Sequence, residues 1–188
     1  MSTTLPDRDQ SDVGRRRALH QEDIVRSVTL RRILAAGRIL IGFTFLWAFI
    51  DKVFGLGYAT PAERAWIDGG APAQGFMQSL EGPTAGFFQN ISGPWADWLF
   101  MAGLLGIGIA MMAGAGLKLA AWTGTLLLAF MYIAQFPIGQ ANMGFTNPIF
   151  DSHWIEAVVL LTSAYGLAGD TWGLGRWWSG IVGNSWLR

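Results

Sequence analysis

Apolar residues fall into four runs, separated by polar segments rich in glycine and proline. The first, about 33–50, holds Arg38 and closes on Asp51 and Lys52. The second, about 98–117, and the third, about 119–136, carry no charge at all. At about 1.5 Å per residue, each approaches the roughly 30 Å of a bilayer core. The fourth, about 153–168, is shorter and holds Glu156. The pattern predicts an all-α integral membrane protein, a four-helix bundle with short amphipathic helices in the outer loop between the first two spans.

That loop, 51–97, is too long for a simple connection. Thr60-Pro61-Ala62-Glu63 reads as a capping box, with Thr60 as N-cap, Pro61 at the first helical position and Glu63 reaching back. A short helix through Trp66 should follow and end at Gly69 and Gly70. Two further pieces are expected, one through Phe76 and Leu80 and one after Pro83 through Phe87, Phe88 and Ile91. Their aromatic faces suit a membrane surface or a lid over the helix ends.

The flanks divide the chain into an Arg-rich cytoplasmic tail over 1–32, a membrane domain over 33–178 and a cytoplasmic tail over 179–188. The last part of the first tail, from about Asp23, suits a helix lying on lipid headgroups. The late start of the first apolar run, and the lack of a small-x-small cleavage pattern after Phe54, favour an uncleaved signal anchor.

Composition narrows the chemistry. The 188 residues are 52% hydrophobic and only 14% charged, with 10 Trp, 12 Phe and a mean hydropathy of +0.34, which places the chain in a lipid bilayer rather than in water. Zero Cys excludes disulfides, thiolate-held zinc, iron–sulfur clusters and Cys nucleophiles. A net charge of zero gives no reason to expect nucleic acid. His153 is the single His near the membrane, with His20 in the tail, so no bis-His haem is carried within the chain, and no metal-ligand spacing appears. No Walker loop, dinucleotide glycine fingerprint or serine elbow is present either.

The distribution of charge sets an orientation. Of the 13 Lys and Arg residues, only Lys52 and Arg64 fall on one side if four helices cross, so the positive-inside rule puts both termini in the cytoplasm and the chain in the plasma membrane. Trp172, Trp177 and Trp178 beside Arg176 then read as an aromatic anchor at the cytoplasmic interface.

In the second run, Ala102, Gly106, Ala110 and Gly114 recur every four residues, a small-xxx-small stripe expected to serve helix packing within the bundle rather than a dimer. Arg38 either snorkels to the cytoplasmic surface or binds an acidic partner such as Asp170 or a polar ligand head. The outer helix ends collect a denser set: Asp51, Lys52, Asp97, Gln135, Asp151, His153 and Glu156. His153 and Glu156 lie three residues apart on one helix face and can serve one ligand. An intramembrane carboxyl beside an imidazole is a candidate proton carrier; the bland alternative pairs Glu156 with Lys52.

The stretches ILIGFTFLWAFIDKVFGLGYATPAERAWIDGG, GPTAGFFQ, WADWLFMAGLLGIGIAMMAGAGLKLAA, TNPIFDSHWIEAVVLL and TWGLGRWW resemble the actinobacterial branch of the DoxX membrane proteins, over residues 33–178. The resemblance implies a four-helix plasma-membrane protein linked to quinone-dependent oxidation of sulfur compounds, like the membrane subunit of thiosulfate:quinone oxidoreductase, or to redox complexes that recruit partner enzymes. Asp151 and His153 match an Asp-Asp-His run of some relatives, and Ser152 departs from it.

Two functions of different classes follow. In the first, the chain is a membrane subunit of a quinone-linked oxidoreductase, with a quinone as substrate or bound acceptor. His153 hydrogen-bonds a quinone carbonyl, Glu156 exchanges the proton and Asp51 acts with them. Lys52, Gln135, Trp98, Trp154 and Arg38 are the binding candidates. Electrons must then come from a substrate such as thiosulfate or from a partner redox protein or second subunit. In the second, the chain is a non-catalytic scaffold that assembles redox or other partners. A homo-oligomer is compatible with either.

Overall fold

The computed structural model describes residues 18–136, 147 and 149–188, and no strand occurs among them. The described helices are α1 (Gln21–Ile24), α2 (Val28–Phe54), α3 (Pro72–Gln78), α4 (Ala85–Ile91), α5 (Pro94–Ala113), α6 (Leu117–Ala134), α7 (Ser152–Tyr165) and α8 (Gly175–Val182). Helices α2, α5 and α6 are long and apolar enough to cross a membrane. Only about a third of each apolar window is buried inside the protein. Residues such as Leu40, Phe43, Leu99, Ile109, Leu126 and Phe130 face outward, a surface that suits a lipid bilayer rather than water. Helix α7, the expected fourth span, has 14 residues, about 21 Å of rise.

Helix boundaries follow local chemistry. The Ser27 side chain accepts the Leu30 N–H at 3.3 Å and starts α2 at Val28, five residues before the apolar run begins. The expected headgroup helix near Asp23 is instead a single turn, α1, separate from α2. Pro94 opens α5, and left-handed Gly114 (φ 75°) and Gly55 (φ 60°) end α5 and α2, where a side chain would be strained.

Helix α2 packs on α5 and α7, and α6 packs on the same two. Ile41, Phe45, Leu104, Met111, Leu128 and Leu160 meet in the core between them. Helices α2 and α5 approach backbone to backbone at two glycines. A Cβ on Gly42 would lie 2.8 Å from the Met111 Cβ, and one on Gly108 would lie 2.8 Å from the Leu46 backbone nitrogen. Gly124 of α6 likewise gives way to the Leu160 side chain.

The small-residue stripe does not do this work, contrary to the sequence expectation. Ala102 and Gly106 are exposed, and nothing lies within 4 Å of a Cβ built on Gly106. Ala102, Gly106 and Ala110 line an open apolar groove of about 550 Å³ between α5 and α6. Ala110 also touches the core, and Gly114, at the helix end, meets Gly169. The spacing aligns the four residues correctly, but that face of α5 turns away from α2.

Residues 55–93 form the lid. The expected pieces are present as α3 and α4, which pack together through Ala73, Met77, Leu80 and Phe88. The capping box is not. Two short 3-10 turns, Ala62–Arg64 and Trp66–Asp68, replace its helix, and Pro61 rather than Thr60 precedes the first without a side-chain cap. Thr60 instead offers its carbonyl to Gly57 N–H at 2.9 Å. Gly69 (φ 92°) ends the second turn as expected.

Candidate functional site

The polar residues at the lid end separate into two groups. In the first, buried carboxylates hold backbone. Asp51 accepts the Tyr58 and Ala59 N–H groups at 3.2 and 3.0 Å, one on each oxygen. Asp97, in the first turn of α5, accepts the Ala73 and Gln74 N–H groups at 2.7 and 3.0 Å and the Gln74 side-chain amide. Asp97 thereby caps α3 from another helix, a negative group at a helix start. Each Asp51 oxygen thus holds one loop N–H, a structural role beside the catalytic one expected of it.

Lys52 stands 5.9 Å above the Phe100 ring, a cation–π distance. Trp98 is exposed and meets Trp66 edge-on at 4.8 Å. Gln135 is exposed as the residue that ends α6. Among the described residues, no hydrogen bond or ion pair joins Asp51, Lys52 or Gln135 to His153 or Glu156.

The second group gathers at the start of α7. Asp151 is its N-cap: one carboxylate oxygen accepts the His153 N–H at 3.1 Å, and the other lies 2.6 Å from His153 Nδ1. Both side chains are largely buried. Glu156 is half-buried one turn on, with Ser152 and His153 beside it. The His153 ring lines an apolar groove of about 400 Å³ between α6 and α7, walled by Tyr132, Trp154, Leu128 and Leu161. Trp154 stands edge-on to Tyr132 and Phe150, and the Tyr132 hydroxyl donates to the Ile149 carbonyl at 2.6 Å. Deeper in the wall, the Thr125 hydroxyl is buried without a hydrogen-bond partner.

This arrangement has the parts an amphiphile with an apolar body and a polar head requires. His153 and Trp154 line the groove, with Glu156 one turn beyond His153; Asp51, Lys52, Gln135 and Trp98 lie outside its lining. Sequence reasoning gave Asp151 no role toward the ring, although an acidic N-cap two residues before a His is a signal for it. Tyr132 was hidden among many aromatics. Among the described residues no three His, Asp or Glu side chains gather as a metal site needs.

Arg38 lies at the opposite end, fully buried. Its guanidinium donates to the carbonyls of Met111, Met112 and Trp172, the last two at 2.8 Å. It neither snorkels nor pairs with Asp170. The last carbonyls of α5 are unsatisfied and carry the negative end of the helix dipole, so a buried cation there satisfies both. Gly114 and Gly173 leave the room, since a Cβ on either would stand 3.2 or 3.1 Å from the guanidinium nitrogens. Arg38 therefore caps the end of α5.

Asp170 pairs with Arg188 at 3.1 Å and accepts the Gln21 N–H at 2.9 Å. The Gln21 side chain bonds the Gly166 carbonyl and the Thr171 hydroxyl. Residues 18–24 and 179–188 are thus packed parts of this end. At its rim Arg176 bonds both oxygens of Glu22, at 2.8 and 2.7 Å. That bond holds the Glu22 carboxyl below its ordinary range and pushes Arg176 up. Compared with protein-family models, with curated proteins and with solved structures, the chain finds no match.

Proposed function

We propose that the chain is the membrane subunit of a quinone-linked oxidoreductase, thiosulfate:quinone oxidoreductase-like. It is a four-helix bundle of the plasma membrane, with α7 as the fourth crossing and both termini cytoplasmic. The observation that carries this reading is the Asp151–His153 pair beside the apolar α6/α7 groove. The groove accepts an apolar tail from the lipid side, Tyr132 and Trp154 flank a flat ring, and His153 meets its polar atoms. Glu156, one turn further, exchanges a proton with the head-group side. A quinone bound there supplies a two-electron acceptor, which no side chain of this chain can be. The electrons come from a substrate or a partner redox protein. The resemblance to DoxX proteins supports the same reading.

Photolabelling tests the place directly. A short-chain azidoquinone irradiated with the protein in lipid nanodiscs should label peptides containing Tyr132, His153 or Trp154, and excess unlabelled quinone should suppress it. Labelling confined to the lid or to the α5/α6 groove contradicts the reading.

A scaffold function has one observation in its favour. Helix α8 buries Gly175 and Ser179 and exposes Trp177 and Ile181, with Trp186 nearby, so the cytoplasmic end presents an ordered aromatic surface. A partner docked there would be lost on Trp177→Ser with the groove intact.

A further inference from the structure

Asp151 does two things at once, and the first fixes the second. Its Oδ1 is committed to the His153 backbone N–H as the α7 cap, which leaves Oδ2 against Nδ1 at 2.6 Å. An ionised carboxylate only accepts, so Nδ1 must carry the hydrogen. In the neutral ring Nε2 is then a bare acceptor. No hydrogen-bond partner for it occurs among the described residues, and the ring lines the α6/α7 groove. A carbonyl oxygen, itself an acceptor, has nothing to gain there. A hydroxyl does.

We infer that Asp151 is a positioning residue that sets the His153 tautomer, so that the α6/α7 groove selects the hydroxyl-bearing, reduced form of an aromatic amphiphile over its carbonyl form. The inference rests on the proposed quinone-linked reading and refines it: with a neutral ring, the partner of His153 is the quinol hydroxyl. Tyr132 does not substitute for the acceptor, because its hydroxyl hydrogen is directed to the Ile149 carbonyl.

The geometry supplies its own control. In Asp151→Asn the amide oxygen keeps the cap, since Asn caps helices as well as Asp. The amide N–H₂ then faces Nδ1 where Oδ2 stood. A donor there forces Nδ1 to accept and moves the ring hydrogen to Nε2, which becomes a donor. The preference should invert without loss of the fold.

The chain has 2 His, so His20→Gln leaves one ring to observe. Nitrogen-15 NMR of labelled histidine in nanodiscs, above the pH at which the ring protonates, should show Nδ1–H in the parent and Nε2–H in Asp151→Asn. Decylubiquinol should bind about tenfold tighter than decylubiquinone to the wild type, the difference one hydrogen bond makes, with the order reversed in Asp151→Asn. An Nε2–H tautomer in the parent, or equal affinity for the two forms, overturns the inference and leaves the quinone reading standing. Binding of neither form overturns both.

Discussion

Arg38 and Asp97 show how buried charge is used in this chain: each serves the backbone of another segment. Arg38 bonds carbonyls at the end of α5 and Asp97 bonds N–H groups at the start of α3. Hydrogen bonds to charged groups contribute about 1.5–3 kcal/mol each. Asp97→Ala removes three such bonds and should lower stability by at least about 3 kcal/mol in thermal unfolding and expose 72–78 to protease before the rest of the chain unfolds. Arg38→Lys keeps the charge but not the planar fork. We expect it to lose at least about 2 kcal/mol, read as a lower melting temperature; a wild-type melting temperature would refute the cap. The depth of Arg38 and the acidity of the lid end were legible in the sequence. Their partners were not, because backbone carbonyls and amides have no sequence signature. Asp51 illustrates this, since a carboxylate that holds the Tyr58 and Ala59 N–H groups looks the same in sequence as a free one.

At the level of elements, the glycines that matter are those where two backbones meet. Gly108→Ala would drive a methyl group to 2.8 Å from the Leu46 nitrogen. Backbone cannot rotate aside, and overpacking of this kind costs about 1–3 kcal/mol. Gly106→Ala, two residues away in open space, should be neutral or slightly stabilising, as the helix interior favours Ala. Thermal unfolding of the pair distinguishes the structural account from the stripe reading, which predicts the opposite order. Periodicity and length gave the long apolar helices and the two lid helices, because hydrophobic runs and Pro starts are strong local signals. The face that α5 turns toward α2 was beyond reach, since Gly42, Gly108 and Gly106 are equally small. The lid start failed for a related reason: tertiary closure of 55–62 placed Thr60 where its side chain does not cap.

For the whole molecule, the end that joins Glu22 to Arg176 should respond to pH. Because Arg176 holds Glu22 below its ordinary range, the stabilisation is present above that range and is lost as pH falls through the lowered value. As pH falls below the ordinary carboxylate range the amides of 22–24 should exchange faster once corrected for intrinsic rate, and added salt should have a similar effect since the pair is exposed. Exchange independent of pH and salt would show that Gln21 and Asp170 alone hold the segment. At the groove end the sequence brought His153 and Glu156 onto one helix face, while the pairing of Asp151 with His153 depends on side-chain geometry that spacing does not carry.

The proposed function is tested most directly by thiosulfate-dependent quinone reduction in membranes carrying this chain, alone and with its genomic neighbours. His153→Ala and Glu156→Gln are compared with wild type at equal protein level. The account predicts activity in the wild type, in at least one of these settings, and its loss in both variants. Wild-type activity retained in both variants would remove the α6/α7 groove from the chemistry, and no activity in any setting would contradict the oxidoreductase reading in favour of a scaffold.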